Sequence, residues 1–230
     1  KTLSVQSDAT APVSAWLVNA GEHIELGGKF YLNALGKLAL ESSDPVVGNV
    51  ASGVEGIYYG IDGAPSAKYA APFGFAEGIR TLNFNARDNV ANTEAVKSTA
   101  IYVDGTKPIS ELSISGDQYH GDKVYVSLRS DILLAAVDPV VSEVASGLRE
   151  TRYSVDGGAF ADYSAFKLVA EGKRLVSFYS ADQVGNVEAT KTSELWVDAT
   201  APDTALSIAG ARHDADGLIY ITRDSGIVLT

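Results

Sequence analysis

The sequence predicts an all-β chain: tandem antiparallel β-sandwiches of about seven strands each. Three observations carry this prediction. First, Asp44, Gly53, Asp62, Tyr69, Gly78, Asp88, Asn92, Asp104 and Pro108 recur, without a gap, as Asp138, Gly147, Asp156, Tyr163, Gly172, Asp182, Asn186, Asp198 and Pro202, an offset of 94 residues. The loop-like DPVVGNVASG from Asp44 is answered by DPVVSEVASG from Asp138. Second, the apolar period is two: in RTLNFNARD, Leu82, Phe84 and Ala86 share one face and Thr81, Asn83, Asn85 and Arg87 the other. Third, turn residues interrupt these runs at short intervals, as in Asp62-Gly63, Glu77-Gly78 and their partners Asp156-Gly157 and Glu171-Gly172.

Taken in order, the chain is punctuated by one motif three times: SDATAP ending at Pro12, VDGTKP at Pro108 and VDATAP at Pro202. Each ends in a proline, which fixes φ and stiffens the connection. Residues 1–8 therefore read as the last strand or linker of a preceding repeat, 9–104 as repeat 1, 105–198 as repeat 2 and 199–230 as the incomplete start of repeat 3. Within the repeats the inward positions correspond: Tyr59 and Ile61 match Tyr153 and Val155, and Leu82 and Phe84 match Val176 and Phe178. The third copy ends at Ile227, Val228 and Leu229, matching the strand around Leu133 and Leu134, and cannot bury an inner face by itself. Neighbouring repeats of the same or another chain are its expected partners, with strand exchange through LSVQSD as one route.

Composition narrows the function. Without cysteine there is no disulfide framework, thiolate nucleophile or Cys-ligated metal site. No apolar run is long enough for a membrane span, so direct membrane insertion is not expected. A formal net charge of -11 argues against nucleic acid as a partner and in favour of cations. Catalysis finds no motif: His23, His120 and His213 occupy non-equivalent positions without metal-ligand spacing, and neither a phosphate loop nor a nucleophile elbow is present.

The order of signals is an acidic residue with ASGV or ASGL, then Y-x-[IV]-DG, a Tyr, an E-G turn, a strand ending in Asp, x-x-[GA]-N-x-E and a closing VDxTxP. It resembles the bacterial immunoglobulin-like repeats of spirochaetal outer-membrane repeat proteins and of large calcium-stiffened adhesins. The resemblance implies immunoglobulin-like sandwiches, an extracellular or cell-surface location and a non-catalytic role as a spacer, stalk or adhesin segment. The alternative is an accessory module binding carbohydrate or host matrix. The sequence departs from the pattern at Ala91, where Gly is usual, and in the lengthened loops 44–52 and 138–146, which are expected to form a specialised surface.

Calcium at the domain joins is the expected chemistry, because hard cations take several oxygen ligands and the repeated turns supply carboxylates. In a sandwich of this topology the linker Asp104 approaches Asp138 and Asp182, with Asn186 or Glu188 nearby. The first-copy set is Asp8, Asp44 and Asp88, with Asn92 and Glu94. Three such carboxylates without a cation repel one another unless backbone donors offset them; on that competing reading Asp88 and Asp182 cap their own turns and the linker Asp shapes the turn before Pro. Tyr69 and Tyr163 are expected to pack with their hydroxyls bonded to backbone rather than to stack on sugars, and Trp16 and Trp196 lie near the joins.

Overall fold

A computed structural model describes residues 3–230; Lys1 and Thr2, part of the predicted N-terminal segment, lie outside the described residues. All regular structure among the described residues is β-strand, arranged as tandem immunoglobulin-like sandwiches. The first holds β1 (Val13–Ala20), β2 (His23–Leu26), β3 (Lys29–Asn33), β4 (Lys37–Ser43), β5 (Val54–Ile61), β6 (Ala67–Lys68), β7 (Gly78–Asp88) and β8 (Lys97–Asp104). The second repeats this set as β9 (Ile109–Ser115), β10 (Gln118–His120), β11 (Val124–Val126), β12 (Asp131–Val137), β13 (Leu148–Val155), β14 (Ala161–Asp162), β15 (Gly172–Asp182) and β16 (Lys191–Val197). The strand beyond the predicted seven is the two-residue β6 or β14, too short to leave a periodic signal.

In each sandwich a two-stranded sheet, β1 with β4 or β9 with β12, faces a six-stranded sheet of order β2-β3-β8-β7-β5-β6 or β10-β11-β16-β15-β13-β14. The hairpins β2–β3 and β10–β11 join the large sheets through parallel pairing with the last strands β8 and β16. Alternation along β7 sends Leu82, Phe84 and Ala86 into the first core, and the same parity on β15 sends in Val176 and Phe178. Ile61, read as core-facing, is exposed at the end of β5, and Ile57 takes the buried place. Tyr59 packs on the core with its ring stacked on Phe73 at 4.2 Å, as Tyr153 stacks on Phe166 at 4.0 Å.

At the chain ends, the LSVQSD segment, residues 3–8, carries no strand. Residues 206–229 form two short ladders, β17 (Leu206–Ala209) with β20 (Gly226–Leu229) and β18 (Arg212–Ala215) with β19 (Leu218–Ile221). Leu206, Ile227 and Leu229 are exposed, so the preceding repeat does not cover this apolar face.

The turn after β7 keeps its shape despite Ala91. Asp88 N donates to the carbonyl of Asn92 at 3.1 Å, and Asp182 N to that of Asn186 at 3.1 Å. Ala91 adopts φ 73° where its counterpart Gly185 has φ 81°. A left-handed Ala costs roughly 1 kcal/mol that Gly avoids, partly offset by the freedom Gly gains in the unfolded chain. Ala91→Gly is therefore expected to raise the melting temperature of the first sandwich by a few degrees in calorimetry. Gly185→Ala is expected to lower that of the second, since Gly185 holds φ 81°, where an alanine is strained, and Glu22 must also swing away from the new Cβ.

Candidate metal centre at the domain join

The parity that fills the core also places the acids. On β15, Val176, Phe178, Ser180 and Asp182 share the inner face, so the strand ends on a buried carboxylate; β7 does the same with Asp88. A register shift in the facing strand, between Leu148 and Glu150 or between Val54 and Gly56, sits opposite each of these aspartates. Asp182 is bound by its own turn: Oδ1 accepts from Val184 N at 3.0 Å and Asn186 N at 2.8 Å, and Oδ2 from Asn186 Nδ2 at 2.7 Å.

The linker enters here. Asp104, the last residue of β8, is fully buried; Oδ1 accepts from Thr106 N at 3.2 Å and Oδ2 from Ser146 N at 2.7 Å. Asp138 follows β12, and its Oδ2 accepts from Gly147 N at 2.7 Å. One carboxylate oxygen from each of Asp104, Asp138 and Asp182 lies within 4.8 Å of the others, and Asp8, Asp44 and Asp88 form a second such group. The bonding pattern recurs there: Thr10 and Ser52 donate to Asp8, Gly53 to Asp44, and Val90 and Asn92 to Asp88. Asp8 and Asp44 are only half-buried, so the group of Asp8, Asp44 and Asp88 is the more open one.

Backbone dipoles do not fully offset the charges of Asp104, Asp138 and Asp182. Burial pushes the Asp138 carboxyl up to about 6, with Asp104 and Asp182 adding to the rise. Burial also raises Asp182, against the bonds from Asn186. Asp138 is 8% exposed, yet its Oδ1 has no hydrogen-bond partner, and neither has the buried Ser146 Oγ beside it in the loop. Asp44 Oδ1 and Ser52 Oγ are unpartnered in the same way. Such orphans are costly in water-poor surroundings, and a hard cation would satisfy them with the ligand chemistry it prefers. Asp104, Asp138 and Asp182 fit that role.

Other expected ligands are engaged elsewhere. Glu188 accepts from Ser110 N and Oγ and from Ser180 N, and pairs with Lys191 at 3.0 Å; Glu94 does the same with Ser14, Ala86 N and Lys97. Burial opposes ionisation of both glutamates, but these donors and the lysines hold them below the usual carboxylate range. They tie the first strand of each sandwich to β7 or β15. Asn186 turns its amide N–H groups toward Asp182 and the Asp104 carbonyl and accepts through Oδ1 from Asn33 Nδ2 at 2.8 Å. Asn92 likewise donates to Asp88 Oδ2 and the Asp8 carbonyl. Both asparagines clamp the linker rather than join the carboxylates.

The long loop 138–146 contributes to the joint. Its Val144 is 1% exposed and packs with Val184, which is 0% exposed, against Tyr31, Ile24 and Tyr102 of the first repeat. Asn33 Nδ2 donates to the Val184 carbonyl at 3.0 Å, and Arg149 pairs with Glu22 at 3.1 Å. The recurring valines at 50 and 144 and at 90 and 184 are the signal that could have revealed this contact in the sequence. Trp16 packs edge-on to Phe30 within the first sandwich and is no interdomain contact, whereas Trp196 lies at the far end of the second. Tyr69 and Tyr163 pack against their cores; among the described residues no hydrogen bond to either hydroxyl is present. The histidines sit on three separate hairpins, β2, β10 and β18.

No protein-family model matches the chain, and no curated protein matches it. Among solved structures it is similar to the fibronectin(III)-like modules of CbhA from Clostridium thermocellum. That similarity has 16% identity and a TM-score of 0.37, covering 80% of this chain and 95% of the other.

Proposed function

We propose that the chain is a non-catalytic spacer: a stalk or adhesin segment of tandem immunoglobulin-like sandwiches, working outside the cell and stiffened by calcium at its joins. The observation that carries this reading is the convergence of linker Asp104 with Asp138 and Asp182, with Asp138 Oδ1 buried and unpartnered. A cation there would bridge the last strand of one repeat, the linker and two loops of the next. It would convert a peptide connection into a fixed angle. Calcium suits the set because it accepts six to eight oxygens in flexible geometry, at about 2.3–2.6 Å, without demanding an ideal octahedron.

Calorimetric titration of the chain with calcium is expected to show binding, and thermal melts to show a rise over chelator. At a free ion concentration 100-fold above the dissociation constant the gain is about 2.7 kcal/mol. Asp138→Ala and Asp182→Ala should abolish both signals at the central join. Absence of heat and of any melting shift would remove calcium from the reading.

The elevated Asp138 carboxyl gives a second check. Its pKa is pushed up to about 6 in the fold, well above the ordinary aspartate range, so the fold binds the proton more tightly than the open chain does. In chelator, the contribution of Asp138 to stability should therefore fall as pH rises from about 4 through 6, and is read as the difference between the pH profiles of the wild-type and Asp138→Asn chains. Asp138→Asn should flatten that profile and raise the melting temperature in chelator at pH 7.5, yet lose the gain from calcium. Glu188→Gln should act oppositely, lowering the melting temperature through its weakened pairing with Lys191 while leaving calcium binding at Asp104, Asp138 and Asp182 intact.

A further inference from the structure

The contact between the repeats has two complementary halves. The first repeat offers Ile24, Tyr31 and Tyr102, with Lys29 Nζ 4.9 Å from the centre of the Tyr102 ring; the second inserts Val144 and Val184. The far end of the second repeat is built in the same way. Tyr31 faces Ile24 across β2–β3 and pairs with Tyr102 on β8; Tyr125 faces Tyr119 across β10–β11 and pairs with Trp196 on β16. Lys123 Nζ lies 3.6 Å from the Trp196 ring centre, as Lys29 lies over Tyr102.

The linker beyond it is preset as well. Thr200 donates from N to Asp198 Oδ1 at 3.1 Å and from Oγ1 to Glu171 at 2.9 Å, repeating the bonds of Thr106 to Asp104 and Glu77. What differs is occupancy: Tyr119 is 67% exposed and Asp198 is exposed, where Asp104 is fully buried. Strands β17–β20 correspond to β9–β12, which carry neither valine of the insert. The other end shows the converse, since Val90 is 56% exposed where Val184 is buried.

We propose that Tyr119, Tyr125 and Trp196 form a docking socket for a further copy of the same repeat unit, joined in line after Asp198 and seated through the valines equivalent to Val144 and Val184. Tyr119 and Val90 are thus the exposed counterparts of residues that are covered at the central join. This assignment is independent of calcium, so its test is run in chelator.

The test transplants the open socket onto the joint that is already closed. In the full chain, Ile24→Tyr and Tyr102→Trp give the first repeat the residues of the second, while Trp16→Phe and Trp196→Tyr leave the introduced tryptophan as the sole one. Acrylamide quenching of that tryptophan is expected to be several-fold weaker than that of Trp196 in the Trp16→Phe chain. Adding Val144→Asp should restore quenching to the Trp196 level. An introduced tryptophan already as accessible as Trp196 in a folded chain would overturn the proposal. If the grafted chain melts early, Tyr102→Trp without the Ile24 change gives the same readout. Saturable change of Trp196 fluorescence on titrating the Trp16→Phe chain with soluble oligosaccharides would also overturn it, making the aromatic group a sugar platform.

Discussion

The alternation of side chains along β7 and β15 is the constraint from which the rest follows. A strand that turns Leu82, Phe84 and Ala86 inward must also turn Asp88 inward, and the same parity carries Val176 and Phe178 on to Asp182. A carboxylate at the rim of an apolar core is tolerable only with donors close by. The following turn supplies them through Val184 and Asn186, and that turn in turn places Asn186 on the linker carbonyl and Val184 on the first repeat. Core packing, linker path and interdomain contact are thus consequences of one register.

Much of this was legible before any coordinates. Period-two runs and glycine turns pointed to the sandwich, and the topology of a sandwich put the linker Asp104 at the same end as Asp138 and Asp182. What stayed hidden depends on partners distant in the chain. Glu94 and Glu188 look like loop ligands because they follow the asparagine turns, yet each reaches back to the start of its sandwich, to Ser14 or Ser110, roughly a whole repeat away. Val144 looks like a loop residue because nothing local shows the surface of Tyr31 that covers it.

The two kinds of contact at the join have different physical ranges. The valine contact is short-ranged and insensitive to salt, and burying each valine is worth about 1.5–3 kcal/mol. The carboxylates are long-ranged and mutually repulsive, and their sign of effect depends on what neutralises them. A joint that combines both stays seated through its apolar half while its acidic half sets how firmly the linker is held. In a chain without cysteine no disulfide can fasten this joint, and the valine contact together with the backbone bonds to Asp104 hold it.

The gapless offset of 94 residues has a geometric consequence. If every join reuses the same linker turn and the same seat, then successive units are related by one fixed rotation and one fixed translation. Repeated application of a single such operation generates a screw, with a constant advance per unit and a constant turn about a common axis. Length then grows in proportion to copy number, and a given face of the sandwich returns to the same side of the axis only after a set number of units. Any feature confined to one face is thereby presented along a spiral whose pitch is written into the single turn between Asp104 and Pro108.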